Sequence, residues 1–400
     1  MTFRIGRAKV CDTSGPGFFR LERTLRKIVY VSGTRADFGL MRHTLLTMAA
    51  CPDLDLSVLV TGMHLSSIYG HTVDEIEQSG LVVCGRVPVS LDEATGAAMA
   101  QNIGHSLIGF TQVLASDRPD IVLLLGDRGE MLAGAIAAIH LNIPVAHVHG
   151  GELSGTVDEP VRHAISKLSH LHFTATEASR ARLIRMGERE DRIFAVGAPG
   201  LDGLADAPCP SRAEYCARYG FDPALPLALF VYHPVLHETQ TARADTERLL
   251  AVLQAGGLQT LALMPNSDAG SDDVRAALRA VEGAPWIRIE THLPRPHFIA
   301  AMATVDVMIG NSSSGIIEAA TFGTPVINVG SRQNLRERNG NVIDVPCASE
   351  AITTALARIR QHGRYPRVNL YGDGSAAHRI SRILSETPLP PEMLMKLNSY

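Results

Sequence analysis

Two short apolar runs, each followed by acidic or histidine side chains, constrain the fold of this chain more than any other feature. The first run, residues 121–125, leads into Gly-Asp-Arg ending at Arg128, and the second, residues 143–146, leads into His-Val-His-Gly-Gly-Glu ending at Glu152. A helical segment separates the two runs. Buried runs that alternate with helices are typical of a parallel sheet. Because ligands of such sheets bind beyond the carboxyl ends of the strands, this pattern predicts the rim of an active site.

The alternation of apolar runs and helices continues through the chain and restarts once. In the first half the predicted strands are 28–31, 56–60, 121–125, 143–146, 171–175 and 193–196. In the second half they are 227–232, 260–264, 287–290, 307–309, 325–329 and 342–345. Proline-rich segments at 206–210 and 221–226 separate the two sets. The pattern predicts an α/β protein with two doubly wound Rossmann-like domains that face a central cleft.

The length of the chain agrees with this division, since 400 residues exceed one ordinary core. We expect an N-terminal extension at 1–26 and an N-terminal Rossmann-like domain with the acid/base residues at 27–205. A linker at 206–225 should lead to a C-terminal Rossmann-like, nucleotide-binding domain at 226–375. A C-terminal helix and tail are expected at 376–400.

The composition argues against nucleic acids and membranes as partners. The formal net charge is −4, so no general attraction to anionic polymers or anionic lipids is expected. No apolar run approaches the roughly 20 residues that span a bilayer. The six cysteines are scattered without a CxxC pair, which indicates neither a zinc ribbon nor a thioredoxin-like redox motif. A reduced, cytoplasmic protein is therefore expected.

The segments after the two central strands carry more ionisable side chains than a fold requires. The candidate acid/base residues are Asp127, Glu152, Asp158, Glu159, His149 and His163. Carboxylates crowded in a closed cleft can have their pKa values pushed apart, so that one acts as a base and another as an acid. The i, i+2 spacing of His147 and His149 also places two imidazoles on one strand face. With Asp127 and Glu152 nearby, this spacing has an alternative interpretation as the metal site of a hydrolase.

The second half has a phosphate-binding signature of its own in residues 310–318, GNSSSGIIE. A strand, a turn of small polar residues and a helix follow one another, so backbone N–H groups and the hydroxyls of Ser312 and Ser313 can cradle a phosphate. Glu318 would lie about one turn into the helix, where a carboxylate can accept both hydroxyls of a ribose. The alternative is a serine N-cap with a solvent-facing glutamate. Arg332, just past the next strand, favours the diphosphate site.

Three more polar residues follow predicted strand ends and can contact a nucleotide. Arg35, in Gly-Thr-Arg, can bind a phosphate oxygen, but a helix start with an exposed arginine gives the same pattern. His233 is expected to face the cleft, and its alternative is a histidine bonded to loop backbone. Asn266 can contact phosphate or nucleoside, and its alternative is an Asx-turn residue.

At these residues the chain resembles the hydrolysing UDP-N-acetylglucosamine 2-epimerases of the sialic-acid and legionaminic-acid pathways. The similar stretches of the first half are GTRADFGLM at 33–41, TGMHLS at 61–66, GDRGEMLAGA at 126–135, HVHGGELSGTVDE at 147–159 and RHAISKLSHLHF at 162–173. Those of the second half are GNSSSGIIEA at 310–319 and GTPVINVGSRQ at 323–333. The resemblance covers about residues 27–385 and keeps the motifs in one order.

The resemblance implies a glycosyltransferase-B-type fold, no metal or redox cofactor, a homodimer or homotetramer, and a nucleotide-sugar substrate with UDP as the expected nucleotide. The acid/base region would contain Asp127, Glu152 and Asp158, with Glu159 as a competitor. His64 and His163 would line the sugar pocket. The nucleotide-binding side would contain Arg35, Arg128, His233, Asn266, Ser312, Ser313, Glu318 and Arg332. Some relatives have glutamate where this chain has His149, so here its role would pass to Glu152, Asp158 or His149.

The implied reaction converts UDP-N-acetylglucosamine, or its 2,4-diacetamido-2,4,6-trideoxy analogue, and water to UDP and the free 2-epimer for nonulosonic acid synthesis. The C2 proton becomes acidic only as the C1–O bond to UDP breaks, so elimination to a 2-acetamidoglycal would precede addition of water. No motif reports on C4 or C6, and phosphate and ribose contacts do not distinguish UDP from GDP. The rival functions are a glycosyltransferase of the same fold, a non-hydrolysing epimerase, the metal-dependent hydrolase and a non-catalytic nucleotide-sugar sensor.

Overall fold

The computed structural model describes residues 25–93, 95–154, 158–266 and 268–399, so most of the predicted extension at 1–26 lies outside the described residues. The strands of the first half are β1 Arg26–Ser32, β2 Leu54–Thr61, β3 Val82–Val87, β4 Ile121–Leu125, β5 Val145–Val148, β6 Leu171–Thr174 and β7 Ile193–Ala195. Those of the second half are β8 Leu227–Val231, β9 Gln259–Leu263, β10 Ile287–Glu290, β11 Val307–Gly310, β12 Val326–Val329 and β13 Val342–Val345. The α-helices of the first half are α1 Arg35–Ala50, α2 Val73–Gln78, α3 Gly96–Asp117, α4 Gly129–His140, α5 Asp158–Leu168 and α6 Glu177–Arg185. The later helices are α7 Arg212–Tyr219, α8 Ala242–Ala255, α9 Ser271–Arg279, α10 Arg295–Thr304, α11 Ser313–Ile317, α12 Ser349–His362 and α13 Ala376–Glu386.

Within these ranges the chain forms two parallel sheets. The first has seven strands in the order β3-β2-β1-β4-β5-β6-β7, and the second has six in the order β10-β9-β8-β11-β12-β13. The strand order reverses between β1 and β4 and again between β8 and β11, so each sheet is doubly wound. The predicted α/β class with two Rossmann-like units is confirmed. The loops after β1, β4, β8 and β11 lead into the crevice at each reversal.

The central strands appear as apolar runs in the sequence because helices cover both faces of each sheet. Val29, Tyr30 and Leu123 have no solvent exposure, and every residue of β4 and β5 is buried. A strand that is buried on both faces has no polar alternation to show. The two strands that most constrain the fold are therefore the easiest to recognise.

The edge strand β3 is not predicted by the sequence pattern. Within the described sheet it pairs with β2 alone, with a shift of register between Val58 and Leu59. Val82 is 53% exposed, and Gly85 interrupts the strand. An edge strand buries too little apolar surface to produce a continuous run, and an internal glycine weakens the pattern further.

Two helices depart from a simple division of the chain into halves. α7 lies within the predicted linker, and its Tyr215 and Cys216 are buried in the core of the second half. α13 follows the second sheet but packs on α1, and its Ile380 and Leu384 are buried in the core of the first half. The chain therefore crosses between the halves twice. The predicted domain limits stay a prediction.

The two crossings lie side by side. The backbone N–H of Ala198 donates to the carbonyl of Tyr371 at 2.7 Å. The backbone N–H of Ala376 donates to the carboxylate of Asp202 at 3.0 Å, which caps the start of α13. One compact junction thus joins the two halves.

The segment after α13 returns to the first half and is fixed there by a lysine. Nζ of Lys396 donates to the carbonyl of Ser166 at 2.9 Å and lies 2.6 Å from the carboxylate of Glu188. Glu188 in turn lies 2.9 Å from Nε2 of His172, in β6. No helix in the described ranges is both long enough and apolar enough to cross a membrane.

Candidate active site

Three neighbouring cavities lie in a row along the cleft between the two halves. We name them the Arg35 cavity, the Asp127 cavity and the Met99 recess, each after one of its lining residues. Their volumes are about 900, 920 and 1110 Å³, open solvent at their mouths included. The Asp127 cavity is the middle one, because it shares Glu318 with the Arg35 cavity and shares Asp127 and Asp158 with the Met99 recess.

Asp127 follows β4 and forms an ion pair with Arg162 of α5. The side chain of Arg162 is only 1% exposed, so this pair lies in the floor of the cavity rather than at its mouth. Burial alone would raise the pKa of Asp127, but the charges of Arg162 and Arg336 hold it below its ordinary value. Asp127 is therefore ionised at neutral pH.

Glu152 is held by one partner from each half. One of its oxygens contacts Nδ1 of His149, and the other accepts a hydrogen bond from Arg336, in the loop after β12. Burial would raise the pKa of Glu152, but His149 and Arg336 hold it well below its ordinary value. The pKa values of Asp127 and Glu152 are not pushed apart as expected. Both are lowered, because each carboxylate has an arginine partner.

The predicted placement of His147 and His149 on one strand face is wrong. β5 ends before His149, which has a positive φ of 65° and lines the Asp127 cavity. His147 is buried, with Nε2 2.7 Å from the carbonyl of Gly126 and Nδ1 3.1 Å from Oγ of Ser166, and burial lowers its pKa to about 3. In the part of the chain that the structure describes, no three His, Cys, Asp or Glu side chains converge as metal ligands, so the metal-site alternative has no ligand set there.

The two acidic residues that begin α5 have different surroundings. Asp158 lines both the Asp127 cavity and the Met99 recess. Glu159 instead contacts Arg162 at 3.3 Å and His163 at 3.1 Å. Among the described lining residues of the three cavities, neither Glu159 nor His163 is present. The fold thus brings Asp158, rather than its neighbour, to the cleft.

His64 lies beneath the cleft and not in its wall. It is fully buried, with Nε2 2.9 Å from Oγ of Ser32 and Nδ1 2.8 Å from Oγ1 of Thr72. Ser32 donates to Asp37, which also accepts the backbone N–H of Thr34 at 2.6 Å. Burial lowers the pKa of His64 to about 4, so its imidazole is neutral. His64 supports the loop after β1 from below and does not reach the position in the sugar pocket that the resemblance implies.

The signature of the second half forms the expected strand, turn and short helix. Ser312 caps α11, and its Oγ lies 2.8 Å from Oγ of Ser314. Gly310 has a φ of 136°, and a Cβ there would lie 2.0 Å from the carbonyl of Val231, so only glycine lets β11 end this close to β8. Ser312, Ser313 and Ser314 all line the Arg35 cavity.

Asn311 fixes the loop that carries His233. It accepts the backbone N–H of His233 at 2.7 Å and donates to the carbonyl of the same residue at 2.7 Å. Burial, reinforced by the charge of Arg332, lowers the pKa of His233 to about 3. Its Nδ1 has no hydrogen-bond partner among the described residues, which leaves a neutral imidazole in the cavity wall that can bond a ligand.

Glu318 is a buried acidic residue of the second half that reaches the cleft. It lies at the end of α11 and forms an ion pair with Arg295 at the start of α10. Glu318 is 2% exposed and lines both the Arg35 and the Asp127 cavities. This burial excludes the alternative of a solvent-facing glutamate.

Two arginines of the first half reach across the cleft. Arg35 donates to the carbonyl of Thr291, and burial lowers its pKa to about 10. Arg128 lies 2.9 Å from Glu130 and 3.2 Å from Asp268 of the second half. Both guanidinium groups stay charged at neutral pH, so the first half adds positive charge to the cavities that the serines and Arg332 of the second half line.

The fold brings most of the predicted site residues together. Those lining the Asp127 cavity are Asp127, Arg128, His149, Glu152, Asp158, Asn266, Ser313, Glu318 and Arg332. Those lining the Arg35 cavity include Arg35, His233, Asn266, Ser312, Ser313 and Glu318. The ion-pair partners Arg162, Arg295 and Arg336 are not among the predicted site residues. Only Arg162 gives a signal in the sequence, because it stands in one of the quoted motifs.

Comparisons with known proteins agree with this geometry. The model of the family described as UDP-N-acetylglucosamine 2-epimerase matches residues 47–385. A Legionella pneumophila protein named UDP-N,N'-diacetylbacillosamine 2-epimerase (hydrolyzing) is 53% identical over 376 residues, 94% of this chain and 100% of that relative. A Campylobacter jejuni protein named GDP/UDP-N,N'-diacetylbacillosamine 2-epimerase (hydrolyzing) is 32% identical over 325 residues, 80% of this chain and 84% of that relative.

A solved structure shares the fold. The UDP-GlcNAc 2-epimerase from Neisseria meningitidis, bound to UDP-GlcNAc, superposes with a TM-score of 0.75 and covers 90% of this chain and 99% of its own. Its sequence identity is 18%, so this likeness concerns the glycosyltransferase-B-type architecture alone. The family model covers most of the chain, and the Legionella relative matches nearly all of it. This chain therefore belongs to the UDP-N-acetylglucosamine 2-epimerase family.

Proposed function

We propose that this chain is a hydrolysing nucleotide-sugar 2-epimerase, which converts a UDP-linked 2-acetamido sugar and water to UDP and the free 2-epimer. One observation carries the proposal. The Asp127 cavity is lined at once by Asp127 and Glu152 of the first half and by Ser313, Glu318 and Arg332 of the second half. Carboxylates that can move a proton thus face groups that can hold a diphosphate.

The nucleotide would lie along the Arg35 cavity with its diphosphate toward the Asp127 cavity. Four groups are suited to bind phosphate oxygens: the hydroxyls of Ser312 and Ser313, the neutral imidazole of His233 and the guanidinium of Arg332. Glu318, held by Arg295, is suited to accept the ribose hydroxyls. These groups would stabilise the negative charge that develops on UDP as the C1–O bond breaks.

The sugar would lie beside the carboxylates. As the C1–O bond breaks, its electron pair leaves with UDP, and a carboxylate takes the C2 proton, which gives a 2-acetamidoglycal. Water then adds its oxygen at C1, and a proton returns to C2 from the opposite face. Asp127 and Glu152 have lowered pKa values, so both are ionised at neutral pH and able to accept the proton. His149 and Asp158, which line the same cavity, are the candidates for the group that returns the proton.

The preferred sugar is proposed from similarity. The Legionella relative, 53% identical, has a name that specifies a UDP-linked diacetylbacillosamine and hydrolysis. This supports the 2,4-diacetamido-2,4,6-trideoxy sugar as the first substrate to test, with UDP-N-acetylglucosamine as the alternative.

The test is incubation of the protein with UDP- and GDP-linked forms of both sugars in deuterated water, followed by NMR of the sugar product. The expected result is free nucleotide together with a 2-epimeric sugar that carries deuterium at C2. A product still attached to UDP would identify a non-hydrolysing epimerase. Binding without any turnover on donor and water would indicate a transferase or a sensor, and loss of activity with a chelator would indicate the metal-dependent hydrolase.

A further inference from the structure

The Met99 recess adjoins the reaction site but contains little that could bind a nucleotide. It begins where the Asp127 cavity ends, because both are lined by Asp127, Arg128 and Asp158. Among the described lining residues it shares none with the Arg35 cavity, at the other end of the row. Whatever lies in the recess is therefore the part of the substrate that is farthest from the nucleoside.

One part of the recess wall is apolar and comes from four separate elements. The rest of the described lining is polar or charged and includes Glu93, Asn102, Ser106, Glu130 and Asp268. Met99 and Ile103 stand one turn apart on α3, so both face the same side of that helix. Leu91 belongs to the loop after β3, and Val161 to α5. Leu236 comes from the second half. Five separate apolar side chains from both halves thus converge on one space.

The apolar side chains of the recess pack directly on the loop that carries Asp127. Ile103 packs so closely on Gly129 that a Cβ there would lie 2.6 Å from its Cγ1. Gly129 follows Asp127 and Arg128 in the chain. Val161 lies three residues after Asp158, on the same face of α5. A sugar whose apolar group lies in the recess would therefore stay within reach of the carboxylates of Asp127 and Asp158.

Leu236 closes the recess from the opposite half. Its side chain is 38% exposed, and a Cβ on Gly96, at the start of α3, would lie 3.7 Å from its Cδ1. A leucine with this exposure contributes little to the core of the second half. Its position is explained if it covers a ligand that lies between the two halves.

Sugar chemistry identifies the occupant. C4 and C6 of a pyranose lie across the ring from C1 and C2, where the reaction occurs. In N-acetylglucosamine these carbons carry a hydroxyl and a hydroxymethyl group, which would lose water without gaining a hydrogen bond where they meet the five apolar side chains. In a 4-acetamido-6-deoxy sugar C4 carries an acetamido group and C6 is a methyl group. The two methyl groups would be buried favourably against the same side chains, and polar lining residues such as Asn102 and Ser106 are partners for the amide.

We infer that the Met99 recess receives the C4 and C6 substituents of the sugar, and that Leu91, Met99, Ile103, Val161 and Leu236 select a 4-acetamido-6-deoxy sugar over N-acetylglucosamine. This inference rests on the proposed function. It assigns sugar specificity to residues that are distinct from the acid/base groups and from the nucleotide contacts.

The test compares kcat/KM for UDP-2,4-diacetamido-2,4,6-trideoxyglucose with kcat/KM for UDP-N-acetylglucosamine. Met99→Gln and Leu91→Gln should each lower the ratio of the two values by about tenfold or more, since one methyl group in an apolar pocket is typically worth roughly 10–200-fold. Met99→Leu, which keeps the wall apolar, should leave the ratio within about threefold of the wild type. Ile108→Gln is the matched control, because Ile108 is on the same helix, 62% exposed and outside the recess.

The outcomes separate this inference from the proposed function. If the wild type releases UDP from neither sugar, the proposed function fails. If it hydrolyses them but prefers UDP-N-acetylglucosamine, or if both glutamine variants keep the wild-type ratio, the proposed function stands and the assignment of the recess is overturned. Thermal unfolding of each variant shows whether it is folded. Because two independent positions are changed, the test can still be made if one variant does not fold.

Discussion

Arg336 of the second half donates a hydrogen bond to the carboxylate of Glu152 in the first half. The remaining oxygen of Glu152 contacts His149, so the carboxylate is held from both sides of the cleft. Its ionisation therefore depends on the position of the other half. While Glu152 is buried, Arg336 helps to keep its carboxylate ionised.

The carboxylate assignment predicts a loss of turnover without a loss of nucleotide binding. Asp127→Asn and Glu152→Gln should each lower kcat by roughly 10²–10⁴-fold, the usual contribution of one acid/base group. The affinity for UDP, measured by calorimetry, should be retained because neither side chain carries the nucleotide. Glu177→Gln, at an exposed position of α6, is the matched control. Near-normal turnover in both active-site variants would rule out the assignment.

Removal of the arginine partner should move the acid limb of the pH–rate profile. Arg336 is one of the groups that hold the pKa of Glu152 well below its ordinary value, together with His149 and Arg162. In Arg336→Met the carboxylate should take up a proton at higher pH, so activity should be lost at a higher pH as the solution is acidified. The apparent pKa of the acid limb in the pH profile of kcat/KM should rise by about one unit or more. Arg243→Met, which removes an exposed guanidinium paired with Glu247 on α8, should leave the limb in place.

The role of Glu318 can be tested with the ligand as well as with the protein. If its carboxylate accepts the ribose hydroxyls, the wild type should bind UDP about tenfold or more tightly than 2′-deoxy-UDP, the usual range for a hydrogen bond to a charged group. Glu318→Gln should bind the two ligands almost equally. Glu247→Gln, on an exposed face of α8, should keep the preference. A preference that survives in Glu318→Gln would place the ribose elsewhere.

The segment after α13 should contribute measurably to stability through Lys396. Its ammonium group is 21% exposed and lies between two backbone carbonyls and Glu188. Lys396→Ala leaves the buried Glu188 with one cation fewer. It should lower the free energy of unfolding by about 2–3 kcal/mol, which is less than the loss expected for a fully buried ion pair. Urea denaturation measures this change. Arg189→Ala, which removes a solvent-exposed pair with Asp191, should have little effect.

Acid should weaken the same region. Burial opposes ionisation of Glu188, but His172 and Lys396 lower its pKa to about 2, below the ordinary value of 4.5. The folded state then binds fewer protons than the unfolded state between these values, so the contribution of Glu188 is present above pH 4.5 and is lost as the pH falls toward 2. In urea denaturation, Glu188→Gln should be less stable than the wild type at pH 7, and the difference should shrink at pH 3.

Much of the fold could be predicted because most strands are buried on both faces. The runs that became β1, β4, β8 and β11 are continuous in the sequence, and the polar residues at their ends marked the crevice. The edge strand β3 could not be found this way, since Val82 is exposed and Gly85 interrupts it. The sequence pattern therefore identifies the strands that carry the site better than the strand at the edge.

The site was predicted less completely than the fold. A carboxylate at a strand end can be recognised in the sequence, whereas its arginine partner cannot, because Arg336 lies 184 positions after Glu152. Burial also separates residues that look alike: His149 lines the cleft, while His147, two positions earlier, is bonded inside the core. Spacing gives the direction of a side chain only within a regular strand, and β5 ends between these two histidines.

The return of the chain to its first half has a consequence for biosynthesis. α13 and Lys396 complete the packing of a sheet whose own strands end at Ala195. A ribosome must therefore make about two hundred further residues before that sheet has its last covering helix. In a nascent chain, the face of α1 that packs on α13 stays uncovered until α13 has been made.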